Sequence, residues 1–179
     1  KIEDLNNDQV ADLLVRFTQS EGVLKRQNDY EIYFGKMAGN RITYPPTPDG
    51  VIKAKGTLTG LKTIDIDQDK HAEIMLSSFD IGLTQIISAL ISGSIDQDIY
   101  IFKMNKNNDF PRKPNVRREV ELNFSLSSGK SDNPIIKLAD FNGDGLLDLL
   151  LSDNNKTLKI YPGINTEKLF KRRSLKLNL

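Results

Sequence analysis

The chain has 179 residues, 38% of them hydrophobic, and its 25 Lys and Arg balance 24 Asp and Glu to a formal net charge of +1. That length can bury a sizeable core in one domain, and the balanced charge points neither to nucleic acid nor to an acidic tail. Cysteine is absent, which excludes disulfides and thiolate metal sites, and no apolar run approaches the eighteen or so residues of a membrane span.

No signal peptide opens the chain, and Lys1 leads almost straight into a motif, so a processed or excised fragment is expected. Asp4, Asn6, Asp8 and Asp12 put side-chain oxygens at positions one, three, five and nine of a short loop. A loop that curls around one hard cation needs oxygens at alternate positions, with a backbone carbonyl at position seven, here Val10. Position six is Gln9, where a tight turn favours glycine. The strand that should precede Asp4 is missing on this reading. Residues 12–18 read as the next strand, 19–29 as a polar connection and Tyr30 to Gly35 as a third strand. The prolines at 45, 46 and 48 bar 37–50 from helix or central strand, and 51–58 is a weaker fourth strand.

Residues 61–66 lead into a second loop, with Asp65, Asp67, Asp69 and Glu73 at the four ligand positions and His71 at the carbonyl position. Lys70 stands at its position six, where its ammonium could displace a metal. Ile74 to Ser78 is the following strand. In the stretch 82–93, Leu83, Ile86, Ile87, Leu90 and Ile91 make the stripe of an amphipathic helix, with Asp80 as N-cap and Gly93 as stop. The stripe is expected to pack on the rim of its own domain, with a partner groove or membrane surface as the alternative. Asp98 to Met104 is a strand, 105–118 a basic connection, and 119–126 an outer strand placing Val120, Leu122, Phe124 and Leu126 on one face. Residues 127–133 form a turn-rich link.

The third loop is the most complete. Asp140, Asn142, Asp144 and Asp148 supply the side chains, Leu146 the carbonyl, and Gly145 the sharp turn at position six. An EF-hand would need a bidentate Glu at position twelve and flanking helices; position twelve is Leu151, and both flanks are short and bounded by turn residues. The loop therefore joins two strands, 135–139 and 149–152. Residues 157–163 and the alternating 169–179 complete the set.

Loops starting at 4, 65 and 140 recur at about 61 and 75 residues. The phrase from Leu138 to Leu151 resembles the FG-GAP/VCBS repeat of integrin-α-like β-propellers. Each loop is followed by a matching strand, Tyr30–Gly35, Asp98–Lys103 or Thr157–Gly163. The resemblance implies an all-β fold of propeller blades, each of four antiparallel strands, with Ca²⁺ in the first hairpin of each and one short inserted helix. The repeats are placed at about 1–60, 61–133 and 134–179, two full blades and three strands of another. A ring of at least four blades would need further blades or other copies. Strand parity puts the calcium hairpins at one rim and the helix at the other, which in such propellers is the recognition face.

The function implied is a calcium-stabilised, non-catalytic recognition or adhesion module of a secreted or cell-surface bacterial protein, extracellular or periplasmic, with a protein or carbohydrate ligand. The alternative is an accessory or substrate-binding domain of a larger secreted enzyme or toxin. No nucleotide-binding glycine pattern is present, and the single histidine, His71, matches no triad spacing. The basic clusters at Lys106, Arg112, Lys113, Arg117 and Arg118, and at 171–173, read as solvated edges rather than a nucleic-acid surface.

Overall fold

A computed structural model describes residues 1–20, 26–125, 127–131, 134–152 and 156–179. Three antiparallel sheets follow one another along the chain. The first joins β1 (Ile2–Glu3), β2 (Asp12–Ser20), β3 (Arg26–Tyr33) and β6 (Gly50–Lys55), in that order. Between β3 and β6, β4 (Lys36–Ala38) and β5 (Arg41–Thr43) form a separate two-stranded ribbon, as the prolines that follow them require. The second sheet joins β7 (Thr57–Ile64), β8 (Glu73–Phe79), β9 (Ser94–Phe102), β10 (Val116–Ser125) and β11 (Lys130–Ser131). The third joins β12 (Ile136–Ala139), β13 (Asp148–Ser152), β14 (Thr157–Tyr161) and β15 (Leu175–Asn178).

Several expectations change. A strand does precede the first loop, since Ile2 and Glu3 pair with Leu13 and Asp12. Residues 26–29, read as connection, belong to β3, because their partners on β2 extend the ladder to Ser20. Leu58 belongs to the second sheet, not the first. Gly56, at φ 81°, turns the chain between the two sheets, and a Cβ there would lie 2.1 Å from the Phe79 carbonyl oxygen. The second sheet has a fifth strand, β11, inside the stretch taken as a link. Residues 19 and 20 extend β2, while 21–25, Leu126, the end of the 127–133 link and the turn at 153–155 lie outside the described residues.

Packing follows from strand alternation, which sends neighbouring side chains to opposite faces. The middle sheet is buried on both. Ile74, Leu76, Tyr100 and Phe102 meet Leu14, Ile32 and Ile52 of the first sheet in one cluster. Met75, Ile99 and Ile101 meet Leu149, Leu151 and Leu169 around the third sheet in another. This explains the unbroken apolar stretches at 74–76 in β8 and 99–102 in β9, whereas β2 and β10 alternate. Beyond the cores, Arg118 stacks on the Tyr161 ring at 4.7 Å and Arg117 pairs with Asp98 and Glu119, so the basic cluster is partly spent on internal contacts.

The helix forms where the periodicity places it, as α1 (Leu83–Ser92), between β8 and β9. Its N-cap is Gly82, with no side-chain cap, rather than Asp80; Gly93 ends it in the left-handed region and donates to the Ala89 carbonyl. The face turned inward is not the one expected. Ala89 is buried and Ile86 half-buried, while Leu83, Ile87, Leu90 and Ile91 are exposed, Ile91 at 83%. The reason lies at the C-terminal end. β9 starts at Ser94 with no intervening loop, and the Gly93 carbonyl accepts from the Phe124 N–H at 2.7 Å. That anchor ties the end of the helix to β10 with Ala89, not the apolar stripe, turned inward. Ile87→Asp is accordingly expected to leave thermal stability within about 0.5 kcal/mol. Ala89→Asp, which buries a charge against the sheet, should lower it by at least 2 kcal/mol. Thermal melts of both variants decide the orientation, and the reverse ranking would refute it.

Candidate functional site

The three acidic turns link β1 to β2, β7 to β8 and β12 to β13, so all lie at the same end of their sheets, opposite the α1 end. Their backbones match. Positions four and six are left-handed in each: Asn7 and Gln9, Gln68 and Lys70, Gly143 and Gly145. Four non-glycine residues thus adopt a conformation that side chains disfavour, and the loop keeps its shape at that cost.

Local hydrogen bonds hold this shape. Asp4, Asp65 and Asp140 each accept, through Oδ2, the N–H of position six, from Gln9 at 2.9 Å, Lys70 at 3.0 Å and Gly145 at 2.9 Å. Asp8, Asp69 and Asp144 each accept the N–H of position seven at 2.9 Å, from Val10, His71 and Leu146. Asn6 and Asn142 tie back to Asp8 and Asp144 through their amides. The Gly145, Gly143 and Asn142 N–H groups hold the Asp140 carboxyl below its usual range, although the site is exposed.

Position nine does something the spacing alone does not reveal. Asp12 is fully buried; its Oδ2 accepts from Leu5 N–H at 2.8 Å and its Oδ1 from Gly35 N–H at 2.9 Å. Asp148 repeats this with Phe141 at 3.0 Å and Gly163 at 2.7 Å. Each carboxylate pins the loop's second residue to the end of the sheet's third strand. Burial raises the Asp12 pKa, and the two N–H donors oppose that rise.

The turns are also stitched to each other. Ala72 N–H donates to the Leu5 carbonyl at 2.8 Å, and Leu147 N–H to the Ile66 carbonyl at 3.1 Å. Position eight of one turn thus bonds position two of the turn before it. Leu5 and Ile66 are buried in these junctions, whereas Phe141, the corresponding residue of the third turn, is 47% exposed.

The second turn differs in what fills it. Asp65, Asp67 and Glu73 bring acidic ligand atoms within 4.8 Å of one another, a set that could hold a metal ion and the one such group among the described residues. Into it reaches Lys103, just past the end of β9. Its Nζ lies 2.8 and 3.0 Å from the two Asp67 oxygens and 3.5 Å from Glu73 Oε1, and it also bonds Asp69. Lys103, Asp67 and Glu73 are all buried. Burial alone would lower the Lys103 pKa; the hydrogen bonds to Asp67 and Asp69 and the charge of Glu73 carry it above the ordinary lysine range. Burial pushes Glu73 up to about 7, against the Ile66 N–H bond and the Lys103 charge. Asp65 Oδ1 is buried without a hydrogen-bond partner.

Lys70, suspected of displacing a metal, is exposed and contributes only its backbone. His71 sits half-exposed, with Nδ1 3.9 Å from Asp69 Oδ1. Lys103 was missed because it lies 36 residues from Asp67. A signal was nonetheless present: directly after Phe102 the chain carries a lysine where, by strand register, the first and third sheets have Phe34 and Pro162. As for fit, the oxygen donors of the first and third turns suit a hard cation such as Ca²⁺, and their carboxylate oxygens retain lone pairs beyond the N–H bonds. The second turn fits poorly, because an ammonium already stands among its ligands. The chain matches no family model, no curated protein and no solved structure.

Proposed function

We propose that the chain is a calcium-stabilised repeat module of the FG-GAP/VCBS type, its sheets acting as successive propeller blades, and that it serves non-catalytic recognition or adhesion outside the cytosol. The observation that carries this reading is the threefold recurrence of one turn geometry at the same end of consecutive antiparallel sheets. Calcium is assigned to the first and third turns, held by Asp4, Asn6, Asp8, the Val10 carbonyl and Asp12, and by Asp140, Asn142, Asp144, the Leu146 carbonyl and Asp148. The metal is structural, since it offsets carboxylates crowded into one hairpin.

Recognition is assigned to the opposite end, where α1 offers Leu83, Ile87, Leu90 and Ile91 to solvent. An apolar stripe of this kind suits a protein surface better than a carbohydrate, which would be bound by polar groups and ring stacking. Further blades or other copies would complete a ring. Among the described residues no helix is long and apolar enough to cross a membrane.

The test is a thermal melt in EGTA against one in 10 mM calcium. With a Kd of about 0.1–1 mM, each occupied turn should add on the order of 1.4–2.7 kcal/mol. That corresponds to a rise of several degrees in Tm. Asp144→Ala should remove the third turn's share. Identical melts in EGTA, calcium and magnesium would refute the assignment.

A further inference from the structure

We propose that Lys103 is the resident cation of the second acidic turn, so that this turn folds without metal and stays closed to one. The inference builds on the reading of the other two turns as calcium sites only for its contrast with them.

The first ground is position. The ammonium occupies the space on which the acidic oxygens of the turn converge, 2.8 and 3.0 Å from Asp67 and 3.5 Å from Glu73. Four carboxylates surround that space, more than in either other turn, and Asp67 and Glu73 are out of contact with solvent. Such a cluster requires a positive charge to fold, and Lys103 supplies it from within the chain.

The second ground is the strand register. Tyr33, Phe102 and Tyr161 each pair with the residue after position nine, so Lys103 stands where the first and third sheets have Phe34 and Pro162. Its backbone does what that of Phe34 does: the Phe34 N–H goes to Asp49 Oδ2 at 2.8 Å and the Lys103 N–H to Asn115 Oδ1 at 2.7 Å. What differs is the side chain, an ammonium where the other sheets carry an uncharged residue. Position nine differs with it, and Glu73, one methylene longer than aspartate, still accepts the Ile66 N–H at 2.7 Å.

The consequence is a division of labour. The second turn bonds to both neighbours, through Ala72 and Ile66. With an ammonium of the chain's own among its carboxylates, the centre of the stack keeps both junctions whatever the calcium concentration, and calcium acts on the flanking turns alone.

Two measurements test this on the full chain. In EDTA, amine acetylation followed by mass spectrometry should modify Lys103 many-fold more slowly than exposed Lys106. In a chain carrying Asp8→Ala and Asp144→Ala, calorimetry and terbium luminescence should detect no ion. Adding Lys103→Gly should create one site per chain, visible as new terbium emission and as calcium-dependent folding if the variant is unfolded in EDTA. The proposal is overturned if Lys103 is acetylated as fast as Lys106. It is equally overturned if the double variant with Lys103 intact still binds one ion that Asp67→Asn removes. A wild-type chain that binds no calcium would sink the reading of the other turns, while slow labelling of Lys103 would still uphold this one.

Discussion

Lys103→Met is expected to destabilise the chain by about 3–5 kcal/mol, the cost of stripping one partner from a buried ionic cluster. Methionine keeps most of the volume of the lysine stem, so lost packing contributes little. What remains is the turn's carboxylates with no counter-charge, Asp67 and Glu73 among them without solvent. Domains of this size have total stabilities of about 5–15 kcal/mol, so the variant should unfold well below the wild-type urea midpoint or fail to fold. Because β8 and β9 carry both hydrophobic clusters, the loss should be global and cooperative rather than confined to the turn. Urea denaturation in EDTA measures it directly. A loss below about 1 kcal/mol would place the pair among ordinary surface ion pairs and remove its structural role.

Asp12→Ala should cost nearly as much, for a different reason. The substitution leaves the Leu5 and Gly35 N–H groups buried without an acceptor, at roughly 1–3 kcal/mol each. Asp12→Asn should fall between, since the amide keeps one acceptor oxygen but turns a donor towards the other N–H. Most of the loss should persist in EDTA, because the bonds it breaks are to backbone, and calcium should add only the share of one lost ligand. Asp148→Ala should cost less, since the Gly163 N–H is left buried while that of half-exposed Phe141 is not fully so. If either variant were destabilised only in the presence of calcium, position nine would be a metal ligand first and a pin second. Calcium titrations of the urea midpoint separate the two roles.

Much of the architecture was written locally in the chain. The acidic turns form because Asp4, Asp65 and Asp140 reach backbone N–H groups only five residues ahead, a contact that needs no tertiary partner. The same locality makes the hairpins legible, together with the helix start and stop around Gly82 and Gly93. The apolar stretches at 74–76 and 99–102 likewise mark the part of a sheet buried on both faces. What no local pattern held was rotation, distance and occupancy. The helix stripe was legible, but which way it faces depended on the Gly93 carbonyl meeting Phe124 on β10, over thirty residues later. The acidic loop at Asp65 was legible too, yet its cation comes from the far end of β9, and Lys70 beside it proved only a backbone donor. The position-nine aspartates were legible as oxygen donors, while their bonds to Gly35 and Gly163 depend on how the third strand of each sheet returns to the turn. Short-range hydrogen bonds and periodicity are properties of the chain itself; the filling of a buried charge and the facing of a helix are set by whichever distant strand the fold brings alongside.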